Sequence, residues 1–300
     1  MVAQLVDAPV ALVSVDDYVA AVRVHSDRLH DLVRRSGCSA EVAPEVVEST
    51  ALELLGALVG APETVEDLVG WWFAHALDAA RRVAAGDPDA APRNGLHGYS
   101  LLAGTEGETR VREALAGLPE RERTAIMLRD AYDLPLASVA VALRRPPDVT
   151  AALLAAARLH LFGTYHGRRA PSLDGHPARP SMDSASLGLL CDGTTTGQQA
   201  TAMRRHVHTC AQCEDVSESM SQARRLAAGL PVIAMPEDER DEMLERVTDR
   251  AQSLLPSLEE VLLAADAEAD EPPLVPIGII LLALFLAGAL GVAVGVAGHA

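Results

Sequence analysis

The sequence predicts an all-α protein. Of its 300 residues, 49% are hydrophobic but only 3% are aromatic, so Ala, Leu and Val must build the cores. Alternation of β-branched residues is scarce, whereas apolar residues recur at helical spacing in segments bounded by Pro and Gly. These patterns favour helices over strands along the whole chain.

Three helices are predicted before the first long polar segment. Helical apolar spacing covers 16–35, a turn follows at Gly37 and Cys38, and a second helix covers about 43–59. Pro62 interrupts the pattern, and a third helix is expected over about 64–85. Residues 86–107 are rich in Gly, Pro, Asp and Asn, which predicts a linker.

Two further groups of helices follow, separated by a second linker at 167–182 that contains Pro and Gly residues around Arg168 and Arg169. Each group combines short amphipathic segments with turn residues between them. The expected helices are 110–116, 120–130, 136–143 and 149–162 in the first group, and 184–190, 198–208, 213–228 and 236–255 in the second.

The distribution of charge argues against a general nucleic-acid binder. The formal net charge is −17, which repels phosphate over most of the surface. Residues 1–83 carry 13 acidic and six Arg residues, residues 169–273 carry 19 acidic and nine Arg residues, and residues 84–168 carry ten of each. The middle segment is therefore the part most compatible with a phosphate backbone.

The C-terminal segment 274–298 contains no charged residue over 25 positions, which is long enough to cross a hydrocarbon core of about 30 Å. An acidic stretch at 257–273 leads into it, and the N-terminus has no basic region of the kind that begins a secretory signal. We therefore expect a single-pass protein of the cytoplasmic membrane with its N-terminal domains in the cytoplasm. A buried helix of a soluble domain is the alternative.

A helix-turn-helix unit is predicted in the middle segment. The run from Leu118 to Arg129 precedes a short helix from Leu134 to Leu143, and Pro146 then introduces a longer one. Two helices joined by a short turn fit a DNA-reading unit whose second helix enters the major groove. An all-α scaffold of unrelated purpose is the alternative.

This segment resembles region 4 of extracytoplasmic-function sigma factors, through Leu118-Pro-Glu-Arg-Glu-Arg, Leu143 and the Ala157-Arg158-Leu-His-Leu161 ending. The resemblance implies RNA polymerase core as a partner and promoter DNA as a ligand. Arg144, Arg145 and Arg158 are the candidate phosphate contacts, or else solvated surface arginines. The family usually has Gly where Arg144 stands, and its DNA-facing polar positions are occupied here by Ala151, Ala152 and Leu153, which cannot donate to bases or phosphates.

The N-terminal segment resembles sigma region 2 less closely. The match covers the first helix and the ending Asp78-Ala-Ala-Arg81-Arg82 of the third. Trp71 and Trp72 fit two interpretations, core aromatics or platforms for stacked bases.

A metal site is predicted from His206-Val-His-Thr-Cys210-Ala-Gln-Cys213. Two thiolates and a His at this spacing can hold three corners of a tetrahedral Zn²⁺, although small buried thiols without metal are the alternative. The motif resembles the zinc-binding anti-sigma domain. Cys191 is the preferred fourth ligand, His176 and Asp183 are further options, and His208 is expected to be a surface neighbour.

Together these resemblances imply a membrane-anchored regulator of transcription initiation, in which a zinc-binding anti-sigma-like module restrains a sigma-like module in cis. The alternative is an interaction protein that sequesters another sigma factor without reading DNA. No catalytic constellation supports an enzyme. The expected segments are 1–85 (region 2-like), 86–107 (linker), 108–166 (region 4-like), 167–182 (linker), 183–256 (zinc-binding), 257–273 (acidic linker) and 274–298 (transmembrane).

Overall fold

A computed structural model describes residues 13–86, 105–173 and 183–256. Every regular element within these ranges is helical, as the sequence predicts. A 3₁₀ turn (Pro62–Thr64) follows the second helix and a π-helical turn (Met127–Ala131) continues the fifth. The α-helices are α1 (Val15–Arg35), α2 (Val42–Gly60), α3 (Leu68–Gly86), α4 (Glu106–Ala116), α5 (Glu120–Ile126), α6 (Leu136–Ala142), α7 (Pro147–His166), α8 (Ser184–Cys191), α9 (Gly197–Val207), α10 (Ala211–Ala228) and α11 (Glu237–Gln252).

The first three helices pack around a core that contains Tyr18 and Trp72, both fully buried. Their polar atoms are satisfied inside it: Tyr18 donates from its hydroxyl to the carbonyl of Ala51 over 2.6 Å, and Trp72 Nε1 donates to Thr50 Oγ1 over 3.1 Å. The core interpretation of Trp72 is therefore confirmed. Trp71 is half-buried and stacks on His75, with ring centroids 3.5 Å apart.

Helix α3 also packs against α6, and Gly70 makes this close approach possible. A Cβ at this position would lie 2.6 Å from the carbonyl oxygen of Ser138, a distance that real side chains do not adopt. Ser138 Oγ in turn donates to Asp67 Oδ2 over 2.9 Å. The N-terminal helices and the helix-turn-helix segment are thus in direct contact along α3.

The predicted helix-turn-helix is present as α6 and α7, joined by a turn that contains Arg144. Arg144 has φ 51°, the left-handed conformation that Gly adopts easily and that costs another residue roughly 1–2 kcal/mol. Within the turn, Arg145 N donates to the carbonyl of Ala140 over 2.9 Å, and Pro147 occupies the first turn of α7. The turn therefore has the geometry expected for the position at which sigma factors usually carry Gly.

The last four helices lie on the preceding ones, and the described residues as far as Leu255 belong to one compact unit. Helices α8 and α10 pack against α7, and α11 packs against α1 and α2. At the α7–α8 crossing, a Cβ on Gly188 would lie 3.3 Å from Cβ of Ala155. The boundaries between segments remain predictions from the sequence.

The predicted membrane segment 274–298 and the acidic stretch 257–273 lie outside the described residues, as does most of each predicted linker. Among the helices that the structure does describe, none combines the length and the apolar character needed to cross a membrane.

Candidate DNA interface and metal centre

The solvent-exposed face of α7 is largely apolar. Val149, Ala152 and Ala156 are exposed along it, and Leu153 is half-exposed. The ring of His160 lies further along the same helix, where Nδ1 is 2.7 Å from Glu122 Oε2. A recognition helix reads base edges through donors and acceptors, and the first three turns of this face offer almost none.

Arg158 is not a phosphate contact in this structure, and that expectation is corrected. Its side chain is 1% exposed. Nε and Nη2 donate to the two oxygens of Asp130, and Nη2 also donates to Asp192 Oδ1 over 2.8 Å. Burial alone would lower the pKa of Arg158, but hydrogen bonds to and the charges of Asp130 and Asp192 outweigh burial and raise it. The buried guanidinium is charged and links α7 to the segments that carry Asp130 and Asp192.

Arg144 and Arg145 lie together, away from Arg158. Arg144 is 61% exposed and its Nη2 is 2.7 Å from Asp78 Oδ2 on α3. Both arginines line a cleft between α3 and the helix-turn-helix unit. The three predicted DNA contacts therefore do not form one surface.

The three predicted metal ligands converge at the junction of α9 and α10. His206 lies in the last turn of α9, Cys210 is the N-cap of α10, and Cys213 lies in its first turn. Their ligand atoms are all within 4.8 Å of one another. Bond lengths of about 2.0–2.3 Å around a tetrahedral zinc place ligand atoms roughly 3.3–3.8 Å apart, so a small adjustment of side chains accommodates the ion.

The environment of Cys213 also fits a structural metal. Its side chain is fully buried, and burial, followed by the hydrogen bond to and the charge of Cys210, raises the pKa of its thiol to about 11. A thiol in such a position becomes a thiolate at neutral pH when a cation compensates its charge. The donor set of one imidazole and two sulfurs is one that Zn²⁺ prefers.

Cys191 does not join the three ligands, which corrects the preferred fourth position. Its Sγ lies 3.3 Å from Ser217 Oγ and 3.8 Å from Ser221 Oγ, on the side of α10 that faces α8. Asp183 instead caps α8 by accepting from Ser186 N over 2.7 Å. His208 is exposed, and His176 lies outside the described residues.

A buried carboxylate that the sequence analysis did not identify connects three parts of the chain. Asp31 on α1 accepts from Arg35 Nε over 2.8 Å, from the hydroxyl of Tyr132 over 2.5 Å and from Ile233 N over 2.8 Å. Tyr132 and Ile233 are 101 and 202 residues away in sequence. Periodicity within a helix carries no signal for such contacts, and the spacing of four positions between Asp31 and Arg35 indicates only a local ion pair on one helix.

The comparisons with known proteins identify one part of this arrangement. Residues 108–161 match the family model Sigma-70, region 4, a span that covers most of α4 and all of α5 and α6, and ends within α7. No curated protein and no solved structure matches the chain. The region 4 family consists of transcription regulators rather than enzymes, and it implies contact with RNA polymerase core. Residues 108–161 are therefore a sigma-factor-like region 4 helix-turn-helix unit.

Proposed function

We propose that this protein is a membrane-anchored regulator of transcription initiation in which residues 183–256 restrain the sigma-like helices in cis. The observation that supports it best is that the C-terminal helices contact both sigma-like segments: α8 and α10 lie on α7, and α11 lies on α1 and α2. The C-terminal helices therefore contact both of the segments through which a sigma factor binds polymerase and promoter DNA.

The segment between α10 and α11 strengthens this contact. Arg35 Nη2 donates to the carbonyl of Pro231 over 3.0 Å, the carbonyl of Ile233 lies 2.9 Å from His30 Nδ1, and Met235 N donates to Asp27 Oδ1 over 3.1 Å. These bonds hold 231–235 along α1. Because the two partners belong to one chain, a high effective concentration keeps weak contacts closed.

The metal centre has a supporting role in this proposal. Zn²⁺ held by His206, Cys210 and Cys213 would fix the end of α9 to the start of α10, the helix that packs on α7. Metal binding of this kind contributes directly to folding. The chemistry that the ion supplies is structural cross-linking.

Docking of α11 offers the sharpest test. Met243 and Val247 are 1% and 0% exposed on its inner face, so Met243→Asp with Val247→Asp should undock the helix. Glu245→Asp with Arg250→Asp places the same charge change on exposed positions of α11 and is the matched control.

The measurement is binding of the full chain to RNA polymerase core, together with transcription from a library of genomic fragments. We expect the Met243/Val247 variant to bind core at least about tenfold more tightly than wild type, since losing roughly 1.4 kcal/mol of restraint changes an equilibrium tenfold. The control should behave as wild type. Equal binding by all three proteins would contradict restraint in cis.

Membrane anchoring through 274–298 is proposed on the uncharged length of that segment alone. Alkaline extraction of cell membranes tests it: the full chain should stay in the membrane fraction, and a chain that ends at residue 273 should be released. Protease added to intact spheroplasts should leave residues 1–270 uncut if they face the cytoplasm.

A second candidate function is sequestration of another sigma factor or partner without promoter recognition. The apolar side chains of Ala152 and Leu153 on α7, exposed and half-exposed, favour it, because they stand where the family has polar groups that read DNA. Core binding by the Met243/Val247 variant without any transcript would support this function over the first. Transcription that depends on a defined promoter would refute it.

A further inference from the structure

The cleft between α3 and the helix-turn-helix unit has the features of a ligand site. It encloses about 440 Å³, a volume within the range of roughly 300–1,000 Å³ that is common for small-molecule pockets. It lies at the junction of the region 2-like and region 4-like segments, and ligand sites occur preferentially between such units.

Positive charge is concentrated in this cleft. Four of its lining residues are arginines and one is Asp78, whereas the chain as a whole carries a net charge of −17. A cluster of one sign in a concave site focuses its field on an entering ion of the opposite sign. The arginines are Arg81, Arg121, Arg144 and Arg145.

Two of these arginines are neutralised within the protein and two are not. Arg144 pairs with Asp78 over 2.7 Å, and Arg81 pairs with Glu120 over 3.0 Å. The side chains of Arg121 and Arg145 have no ion pair or hydrogen bond to any residue that the structure describes. Two guanidinium groups on the same cleft are therefore available to an anion.

The chemistry of these groups selects phosphate. The planar guanidinium presents paired N–H donors whose spacing matches two oxygens of a phosphate, and such charge-assisted bonds are among the stronger ones in proteins. Two available guanidiniums suit two phosphate groups. One part of the wall is apolar, formed by Leu77, Leu143 and Leu153, and can contact a ring.

We propose that this cleft binds a nucleoside polyphosphate, with Arg121 and Arg145 on the phosphates and the leucine wall against the base. Duplex DNA fits less well, because a duplex is too wide to enter a cleft of this volume and its phosphates would reach only the rim. A bound ligand contacts both α3 and α7, so it would stabilise the present arrangement of the two sigma-like segments.

Isothermal titration of the full chain with ADP and, separately, with inorganic pyrophosphate tests the proposal. The variant is Arg121→Gln with Arg145→Gln. Its matched control is Arg23→Gln with Arg250→Gln, which removes the same charge from exposed arginines outside the cleft. Circular dichroism confirms that both variants remain folded.

We expect wild type and control to bind ADP more tightly than pyrophosphate, since only ADP reaches the leucine wall. The Arg121/Arg145 variant should lose at least about tenfold in affinity for both probes, because it removes both guanidiniums that would make charge-assisted bonds to the phosphates. ADP binding that is equal in variant and control would overturn the proposal. So would pyrophosphate binding as tight as that of ADP, or binding of a duplex through these arginines without binding of ADP.

Discussion

Arg158 on α7 donates from Nη2 to Asp192 Oδ1, 2.8 Å away at the end of α8, and both side chains are almost fully buried. The same guanidinium donates to Asp130 in the π-helical turn that continues α5. A residue expected to face DNA instead joins the helix-turn-helix unit to the C-terminal helices. Any rearrangement that frees α7 must separate these charges.

Asp192→Asn should lower the free energy of unfolding by about 1–3 kcal/mol, because the buried Arg158 loses one of its two compensating charges. Urea denaturation measures the loss, and hydrogen exchange at 184–191 should rise with it. Glu218→Gln, which removes the exposed partner of Arg225, is the control and should change stability by less than about 0.5 kcal/mol. Equal effects of the two substitutions would contradict the role assigned to the buried pair.

Tyr132→Phe removes the hydroxyl that donates to Asp31 over 2.5 Å. The carboxylate keeps its bonds to Arg35 and Ile233, so the expected loss is about 1.5–3 kcal/mol, the usual contribution of one hydrogen bond to a charged group. Tyr165→Phe alters a half-exposed ring that stacks under Arg110 and should leave the urea midpoint unchanged. A midpoint for Tyr132→Phe that equals wild type would rule out a stabilising contact with Asp31.

Stability should fall in mild acid because of His25. Burial, and secondly the charge of Arg28, lowers the pKa of His25 to about 4, against roughly 6.5 in an unfolded chain. Between about pH 6.5 and pH 4, His25 therefore binds a proton in the unfolded chain but not in the folded chain. Stability declines as the pH falls through this range.

For His25 alone the decline is on the order of 3 kcal/mol. Urea unfolding at about pH 7, 5 and 4 should show a smaller decline for His25→Gln than for wild type. The pKa of His30 is also lowered by burial, and it contributes equally to both proteins, so the difference isolates His25. Parallel pH profiles would contradict the assignment.

Zinc content should depend on Cys210 and Cys213 and not on Cys191. Elemental analysis of the purified full chain is expected to give about one Zn²⁺ per molecule, lost on Cys210→Ser or Cys213→Ser because only two of the three protein ligands would remain. Cys191→Ser, whose Sγ lies against Ser217 and Ser221, should retain it. Loss of zinc from Cys191→Ser would restore Cys191 as a ligand.

Local patterns were sufficient for much of this molecule. Helical spacing predicted every α-helix among the described residues to within a few positions, because the residues that form the apolar face of a helix all lie within its own stretch of sequence. The turn at Arg144 was recognisable from its place between a short helix and the longer one that follows Pro146. The junction of His206 with Cys210 and Cys213 followed from a spacing of four and three residues within consecutive turns.

Only the tertiary structure decided which side chains face solvent and which face another helix. Arg158 looked like a surface arginine because its partner Asp192 lies 34 residues away, across a segment boundary. Cys191 looked like a ligand because it is near the motif in sequence, yet its thiol contacts Ser217 and Ser221, which lie further along α10 than the ligands. Asp31 depends on contacts 101 and 202 residues distant. The sequence by itself determined the helices, the turn and the three converging ligands, all of which arise within one or two helical turns; long-range packing decided the roles of the charged residues between them.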